Sequence, residues 1–470
     1  MVTATQPKAL STIQQCLPTF QEVVPAQVIR DLARVACAPH RFYERIFTPV
    51  VLVWCLIFQR LNADHSCDAV VSYVRSRAID HLDDRHCAPL SQRLRSESSS
   101  AFCQARARLP LEVLTGVLHQ SAHAIQHAAG AGALWLGHHV VLLDGSTITL
   151  YPFGDLVEEY GQHANQYGPT YWVEMRVTGA FCLRTGALLD LAEGSLHQSE
   201  QVLVRTVLKQ LDPGSVCVGD ENFGVFSVAQ AARQQGLFVL LRLTAARARA
   251  LVRRPLPATL DVPVAWAPSR QDQCVPDLST EPIAGRLIAV RLQRDGFRPV
   301  DLYWFTTLVD QTCYTVEDLC TLYGFRWHVE LDLRYVKATL NMDLLHAKSA
   351  DTARKELYAG LIAYNLIRAA MSDAAERVGL TPLALSFTQC WRRLRDTLFF
   401  LWTADTLEDV RREIERVLSR LGKCRLMERQ RFRIEPRAVR KRRLPYPPLK
   451  GSRDAARQRL REQLQTSAKS

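Results

Sequence analysis

The spacing of apolar residues changes along the chain and divides it into helical and mixed regions. Between about residues 20 and 130 the apolar positions recur with the period of an amphipathic helix, most clearly at residues 111–129. From Leu134 onwards, short β-branched runs alternate with helical stretches. Helical spacing returns at Thr315 and persists, with breaks, to about Arg420. The pattern therefore predicts a helical N-terminal region, an α/β region and a helical end.

Short apolar runs in the α/β region predict its strands and helices. The predicted strands are residues 139–143, 172–181, 187–191, 215–219 and 237–243. A turn at residues 184–186 joins the second and third strands as a hairpin, and helices are expected at about 199–211 and 223–235. Three antiparallel strands followed by alternating helix and strand predict a mixed sheet with helices on its faces.

Residues 244–300 interrupt this alternation. Six prolines fall between residues 255 and 282, and strand-like runs follow at 286–292 and 302–308. We expect an inserted, β-leaning subdomain or a long loop here. The predicted domains are a helical N-terminal domain (1–130), one core in two parts (131–243 and 301–420), the insertion between these parts (244–300) and a C-terminal tail (421–470).

The excess positive charge of the chain lies in this tail. Residues 421–470 contain 16 Lys and Arg against 4 Asp and Glu, which accounts for the whole net charge of +12. Such a segment cannot bury itself, and its field attracts polyanions because each neutralised phosphate releases counterions. Nucleic acid is therefore the leading partner. A solvated tail that only keeps the protein soluble remains the alternative at this stage.

Composition excludes several other classes of protein. The longest apolar run, Val50 to Phe58, has nine residues, whereas a membrane-spanning helix needs about 20. The first residues also lack the basic-then-apolar order of a signal peptide, so we expect a cytoplasmic protein without a membrane partner. Thirteen cysteines without a C-x-x-C pair favour neither a disulfide framework nor a zinc ribbon. The chain contains no phosphate-binding G-x-x-x-x-G-K-[ST] loop, which argues against an ATP-driven motor.

Two aspartates are candidates for chemistry because of where they lie. Asp144 and Asp220 each end a short apolar strand. Ligand sites in α/β sheets form at the carboxyl ends of strands. Taken alone, a strand-terminal aspartate is more often a helix cap or a turn residue. A further element is needed to favour a site.

That element is the segment from Tyr323 to Lys337. At 100° per residue, Arg326, Glu330, Arg334 and Lys337 fall within an arc of about 80° on one helix. A separate apolar stripe faces the core and consists of Phe325, Val329, Leu333, Val336 and Leu340. Three cations and a tyrosine around one carboxylate suit phosphate and metal better than an internal salt bridge. An exposed face with ion pairs inside the helix is the alternative.

The spacing Y-x2-R-x3-E-x6-K, formed by Tyr323, Arg326, Glu330 and Lys337, resembles the signature of DDE transposases of bacterial insertion sequences. The insertion sequence 4 family in particular has this pattern. The match spans roughly Leu134 to Ala370, with the large insertion falling before the glutamate helix.

The resemblance implies a fold and three catalytic residues. Asp144 in LLDGST resembles the first catalytic aspartate, Asp220 in VGDENF the second, and Glu330 the glutamate. The implied fold is α/β, with a ribonuclease-H-like, retroviral-integrase-like mixed-sheet core. The implied chain also has a β-rich insertion in this core, a helical N-terminal domain for DNA-end binding and a basic C-terminal tail.

The resemblance also implies a metal-dependent reaction on DNA. Asp144, Asp220 and Glu330 would hold two Mg²⁺ ions, with Mn²⁺ as a substitute, because hard cations prefer oxygen ligands. Two such ions can activate an attacking oxygen and stabilise a leaving one. The enzyme would cut double-stranded DNA at its element's terminal inverted repeats and join it to target DNA by cut and paste. A homodimer is expected in the DNA complex.

Further residues are assigned to DNA contacts by the same resemblance. Tyr323, Arg326 and Lys337, with Arg334 on the same arc, would bind DNA phosphates near the cleaved end. Trp304 lies near the position where relatives that form hairpins carry a tryptophan that stacks on a flipped base. Because Trp304 lies within the apolar run DLYWFTTL, a buried core aromatic is the competing interpretation.

Two other functions stay open from the sequence. One is a ribonuclease-H-like nuclease that cuts without strand transfer, since this fold serves several nucleases. The other is a catalytically inactive, DNA-binding derivative of a transposase. The presence of all three carboxylates favours the active enzyme.

Overall fold

The structure is a computed structural model of the 470-residue chain. It describes residues 23–39, 42, 45–76, 79–82, 88–130, 134–293, 299–401, 407–426 and 451–467. The described residues up to Leu426 form one compact unit, and residues 451–467 belong to a second. The most basic part of the predicted tail, residues 427–450, lies outside the described residues. No helix in the described part of the chain is long and apolar enough to cross a membrane.

The described residues before 130 form helices, as their apolar spacing predicts. These are α1 (Ala26–Ala36), α2 (Pro49–Leu61), α3 (Cys67–Arg75), α4 (Leu90–Arg93), α5 (Ser100–Arg108) and α6 (Leu111–Ala129). Helix α2 contains the apolar run seen in the sequence. It begins at a cap where the Thr48 hydroxyl accepts a hydrogen bond from the Val51 N–H at 3.3 Å. Because α2 is buried on nearly all sides, it forms the centre of this helical region.

One mixed sheet of ten strands forms the rest of the core. The strands are β1 (Val140–Leu150), β2 (Gln162–Asn165), β3 (Gly168–Cys182), β4 (Leu188–Ser195), β5 (Val216–Gly219), β6 (Phe238–Arg242), β7 (Leu260–Trp266), β8 (Ile283–Leu292), β9 (Val300–Thr306) and β10 (Leu344–Leu345). The helices between them are α7 (Leu156–Tyr160), α8 (Glu200–Leu208), α9 (Phe226–Gln234) and α10 (Ala245–Val252).

Strand β1 is central in this sheet. Antiparallel β3 flanks it on one side, with β4 beyond, and parallel β5 flanks it on the other, with β6 beyond. This arrangement of three antiparallel strands beside two parallel ones confirms the predicted ribonuclease-H-like core. The hairpin between β3 and β4 turns at residues 184–186, as predicted.

Alternate residues of β1 enter two separate apolar cores, because successive side chains of a strand point to opposite faces. Leu142, Ile148 and Leu150 pack into the core shared with the N-terminal and C-terminal helices. Val141 and Leu143 pack into the core that α8 and α9 cover. Even-numbered positions of β1 therefore face the C-terminal helices, and odd-numbered positions face α8.

The predicted insertion extends the same sheet. Strand β9 pairs antiparallel with β6, and β8 and then β7 follow outward. β7 contains Pro263 and forms the end of this strand order, where a residue without an N–H is tolerated. The sequence pattern missed α10, which begins after Thr244, whose hydroxyl accepts from the Arg247 N–H at 3.2 Å.

The C-terminal part of the compact unit is helical and packs on the sheet. Its helices are α11 (Val316–Gly324), α12 (Trp327–Arg334), α13 (Ala350–Glu376), α14 (Phe387–Leu401) and α15 (Leu407–Gly422); in the second unit lies α16 (Arg453–Ser467). The buried Asn365 of α13 binds both the N–H and the carbonyl oxygen of Leu188 at 2.9 Å. These bonds fix α13 to the edge of the sheet where β4 begins.

Candidate active site

The candidate site lies where β1 has an open edge. Strand β1 pairs with β3 along nearly its whole length, but on its other edge it pairs with β5 only from Val140 to Leu142. Pairing on that edge resumes at Thr149, where β10 lies alongside. Asp144 lies in the interval between these two partners. Its side chain is on the face that the C-terminal helices cover.

The prediction that Asp144 ends a strand is wrong. Strand β1 continues through Asp144 to Leu150 because β3 continues beside it, with Asp144 opposite Gly179. What ends near Asp144 is the pairing with β5. The apolar run that ends at Asp144 therefore marks the end of the pairing between β1 and β5, and not the end of β1.

Asp220 lies beside Asp144 because of the parallel register. Leu142 is the partner of Val218, so the same register places the residue after β5, Asp220, level with Asp144. The Asp220 carboxylate accepts a hydrogen bond from the Asn222 N–H at 2.9 Å. The Asp144 carboxylate accepts one from the Gly145 N–H at the same distance. Each aspartate is thus held by the backbone that follows it.

Glu330 reaches the same place from α12. Glu330 lines the same cleft as Asp144, and the strand register places Asp220 beside Asp144. One Glu330 oxygen accepts a hydrogen bond from Arg326 Nη2 at 2.5 Å, which is an ion pair between adjacent turns. This contact is the intrahelical ion pair that the sequence left as an alternative, and it lies directly beside the acids.

The segment from Tyr323 to Lys337 is not one regular helix, contrary to the prediction. Helix α11 ends at Gly324 and α12 begins at Trp327. Between them the chain makes a tight turn, in which the Arg326 N–H donates a hydrogen bond to the Tyr323 carbonyl oxygen. A π-turn then spans Tyr335–Thr339. These changes alter the residue spacing per turn, so Tyr323 and Lys337 lie at different ends of the site. The apolar stripe is buried as predicted, with Phe325 half-buried.

Burial and neighbouring negative charges raise the pKa of Asp144. Loss of solvent, followed by the charges of Asp220 and Glu330, raises the pKa of Asp144 to about 6, while the Gly145 N–H and Arg326 oppose this shift. A cluster of carboxylates in this state favours a bound cation. Their oxygen atoms form the ligand set that Mg²⁺ prefers, so the residue types fit such an ion.

In this structure the carboxylates of Asp144, Asp220 and Glu330 do not form a metal coordination shell. Within the described residues, no three His, Cys, Asp or Glu side chains are grouped so that they could hold a metal ion. One Glu330 oxygen is paired with Arg326, a cation of the protein itself.

A cleft of about 380 Å³ extends from Asp144 and Glu330 towards the second half of the signature segment. Lys337 lines it and donates a hydrogen bond from Nζ to the Ser146 hydroxyl at 3.0 Å. Burial lowers the pKa of Lys337, and the charges of Asp343 and Glu174 raise it. Arg334 is exposed and lines the same cleft. Two cations therefore border the space next to the acids.

Tyr323 and Trp304 form a pair on the other side of the acids. Their ring centroids are 5.2 Å apart, and the Trp304 side chain is 1% exposed. Burial raises the pKa of Tyr323, while Arg326 and Arg242 lower it and Asp220 raises it. In this conformation the indole has no exposed face for a base. Trp304 is therefore a core aromatic residue in this structure. The role of Trp304 in stacking on a base stays a prediction.

Sequence reasoning missed two polar residues behind the acids. Glu200 begins α8 and accepts a hydrogen bond from the Asn222 amide at 2.5 Å. Asn222 in turn binds Asp220 through its N–H. The spacing of Glu200 within its own helix carries no sign of this, because its partner is 22 residues away.

This chain is similar to known proteins over the region that contains the three acids. The family model described as a transposase DDE domain matches residues 135–366, which include all three acids. Transposase InsG for insertion sequence element IS4, from Escherichia coli (strain K12), is 23% identical over 403 residues, covering 84% of this chain and 86% of that protein. The chain is a DDE transposase, and it is similar over most of its length to the transposase of insertion sequence element IS4. As such it is a transposase enzyme, and divalent metals are general cofactors of this family.

One solved structure is also similar to this transposase. It is a cryo-EM structure of the piggyBac transposase synaptic complex with hairpin DNA, at 10% sequence identity and a TM-score of 0.41. The match covers 85% of this chain and 84% of that one.

Replacing Asp144 with asparagine is expected to stabilise the metal-free transposase at neutral pH. The raised pKa of Asp144, about 6 against an ordinary 3.8, means that the folded chain holds this proton more tightly than the unfolded chain. Wild-type stability therefore falls as the pH rises from about 4 to 6. In chelator at pH 7.5, Asp144→Asn should gain on the order of 1–2 kcal/mol, and the gain should shrink towards pH 4.5. Thermal unfolding at both pH values measures it.

Asp310 provides a control of opposite sign. Hydrogen bonds from Thr312 and Cys313 lower the pKa of Asp310, so its ionised form is favoured in the fold. Asp310→Asn should therefore lower the melting temperature at pH 7.5. A gain for Asp144→Asn that is equal at both pH values would contradict the electrostatic origin.

Proposed function

We propose that this transposase binds the terminal inverted repeats of its own insertion sequence and catalyses cleavage and strand transfer in cut-and-paste transposition. The observation that carries the proposal is the position of Asp144 and Asp220 on neighbouring parallel strands at the open edge of β1, with Glu330 beside them. The family membership gives this cluster its reaction class. The partner in this proposal is double-stranded DNA, both the element ends and the target, and the setting is the cytoplasm of a bacterium.

In this proposal Asp144, Asp220 and Glu330 would hold two Mg²⁺ ions, which Mn²⁺ can replace. Such ions activate the attacking oxygen and stabilise the leaving oxygen when they are bound. In this proposal the protein supplies the ligands from β1, from the residue after β5 and from α12, and Asp144 is half-buried. Release of Glu330 from Arg326 would free a carboxylate oxygen for this role and a guanidinium for phosphate.

The reaction needs no high-energy cofactor. Water attacks a phosphorus atom at the element end and displaces the 3′ oxygen, which leaves as a hydroxyl. That hydroxyl then attacks a phosphorus atom of target DNA, so one phosphodiester bond forms for each one broken. Arg326, Lys337, Arg334 and Tyr323 border the acids and would position the phosphates, because charged side chains near a DNA backbone fix register more than sequence. Since two ends must be cut in one complex, we propose a homodimer on DNA.

The direct test uses a labelled duplex with the element's terminal repeat, read from the DNA that flanks the gene. Purified protein with Mg²⁺ or Mn²⁺ should cut at the repeat boundary and should join a pre-cut end to target DNA. Cutting without joining would favour the nuclease alternative. Specific binding of both ends without cutting in either metal would favour the inactive derivative.

Neutralising the basic run at residues 440–443 is expected to flatten the salt dependence of DNA binding. Each lost phosphate contact reduces the slope of log affinity against log salt by about 0.9, so glutamine at all four positions should reduce it by up to roughly 3.6. Binding of a labelled duplex from 50 to 300 mM salt, concentrations chosen around the physiological range, measures the slope.

Exposed arginines in ion pairs provide the matched control for this variant. Arg34 pairs with Asp31 and Arg291 pairs with Asp301 on the surface. Glutamine at these two positions should leave the slope unchanged. An unchanged slope for the variant at 440–443 would mean that these four residues do not contact DNA phosphates.

A further inference from the structure

Glu200 lies directly behind the catalytic strand. Gly145, next to Asp144, is an odd-numbered position of β1 and therefore faces α8 rather than α12. A β-carbon on Gly145 would lie 2.2 Å from the carboxyl carbon of Glu200 and 2.5 Å from each of its oxygens. The Glu200 carboxylate thus rests on the β1 backbone itself. It occupies the volume that any side chain at position 145 would need.

Hydrogen bonds connect this carboxylate to the second catalytic aspartate. Glu200 Oε2 accepts from the Asn222 side-chain amide at 2.5 Å. The neighbouring Gln201 donates from its amide to the Asn222 carbonyl oxygen at 2.8 Å. The Asn222 N–H then donates to Asp220 at 2.9 Å. Two consecutive residues at the start of α8 therefore hold both ends of Asn222, and Asn222 holds Asp220.

An acid is a costly choice for this position unless it has a specific task. Burial raises the pKa of Glu200, and the charge of Asp220 raises it further, while Arg176 and the Asn222 hydrogen bond lower it. A glutamate in the first turn of a helix is often explained by the helix dipole. Here the carboxylate is turned to Asn222 and the β1 backbone instead.

We propose that Glu200 is a positioning residue for Asp220, and that Gly145 is required because it leaves room for the Glu200 carboxylate. Glu200 acts through Asn222 and touches neither DNA nor the reacting phosphate. The proposal rests on the proposed function, in which Asp220 binds metal. It assigns to the start of α8 the task of fixing the loop that carries Asp220.

Glu200→Ala and Glu200→Gln separate this role from a direct one. Alanine removes the acceptor for Asn222 and should lower the rate of end cleavage about 10- to 100-fold, the usual effect of losing an outer partner of a metal ligand. Glutamine retains a carbonyl oxygen for the Asn222 amide and should stay within about threefold of wild type, since only charge assistance is lost. DNA-end binding should be unchanged in both.

Hydrogen exchange provides a readout that does not depend on cleavage. The amides of residues 220–223 should exchange faster in Glu200→Ala than in wild type, and Glu200→Gln should resemble wild type. Glu158→Ala is the matched control, because Glu158 is an exposed glutamate on the short helix α7. It should change neither exchange at 220–223 nor cleavage.

Gly145→Ala tests the second half of the proposal. The added methyl group should displace the Glu200 carboxylate and release Asn222, so the loss of cleavage should match that of Glu200→Ala. The double variant Gly145→Ala, Glu200→Ala should be no worse than either single variant, because both remove one contact. Additive losses would overturn the link between Gly145 and Glu200.

Three results would overturn the proposal itself. The first is equal loss in Glu200→Gln and Glu200→Ala, which would mean that the charge of Glu200 acts directly. The second is full cleavage by Glu200→Ala, and the third is unchanged exchange at residues 220–223 in that variant. If wild type fails to cleave DNA, the proposed function fails, while the exchange measurement still decides whether Glu200 orders the Asp220 loop.

Discussion

Glu330→Gln is expected to abolish DNA cleavage while end binding persists. Glutamine has nearly the same shape as glutamate but lacks the charge, so the proposed metal site would lose one of its three carboxylate ligands. We expect the cleavage rate to fall on the order of 10³-fold or more, a rise in the barrier of about 4 kcal/mol. Single-turnover cleavage of a labelled terminal repeat, with both ends present, measures the effect.

The structure also gives a reason why binding of the DNA end should persist in this variant. Arg326 pairs with Glu330 at 2.5 Å, and the variant removes the carboxylate that balances this guanidinium. The freed Arg326 can contact DNA phosphate, so the affinity for the end should be equal to that of wild type or higher. A loss of binding together with cleavage would instead indicate a folding defect.

Glu317→Gln is the matched control for Glu330→Gln. Glu317 lies in the first turn of α11, the helix that precedes the catalytic one, and its side chain is exposed. The same chemical change there should leave cleavage unaffected. Asp144→Asn and Asp220→Asn should show the loss seen with Glu330→Gln. Wild-type cleavage by Glu330→Gln, in Mg²⁺ and in Mn²⁺, would mean that the assignment of the site is wrong.

Arg368→Met is expected to cause the largest loss of stability of any single change considered. Arg368 on α13 is 1% exposed and forms an ion pair with the buried Asp332 of α12. Its Nε also donates to the Tyr364 hydroxyl at 2.9 Å, and aromatic rings surround its guanidinium. Removing one partner of a buried pair leaves an uncompensated charge, which costs about 3–5 kcal/mol. Thermal unfolding of the full chain measures the change.

This pair also links stability to catalysis. Asp332 follows Glu330 by two residues on α12 and lies on the other side of that helix, towards α13. The bond to Arg368 therefore fixes how far Glu330 extends towards β1. Arg368→Met should lower the cleavage rate even at temperatures where the variant is folded.

Two further variants make the interpretation specific. Arg377, which follows α13, pairs with Asp373 and Glu415 on the surface, so Arg377→Met should cost no more than about 1 kcal/mol. The double variant Asp332→Leu, Arg368→Met leaves no buried charge and should recover at least half of the stability lost in the single variant. A double variant less stable than Arg368→Met would contradict the assignment of the loss to an unpaired charge.

The sequence was sufficient for the features that depend on neighbouring residues. The turn between β3 and β4 follows from local geometry, and so does the contact between Arg326 and Glu330, four residues apart, which the sequence offered as an alternative. The order of the three acids along the chain and their family spacing also predicted the site. The family comparison confirms this class of enzyme.

Tertiary structure decided the features that depend on distant partners. Pairing of β9 with β6 joins the strands of the insertion to the core sheet through β8, and no periodicity within β9 encodes that partner. Packing against Tyr323 buries Trp304, although an apolar run alone allows either a core or a stacking role. The continuation of β1 beyond Asp144 depends on β3, and the task inferred for Glu200 depends on Gly145 and Asn222. Side-chain periodicity reports only which face of an element is apolar, whereas the identity of the neighbour that covers that face is set by the folded chain as a whole.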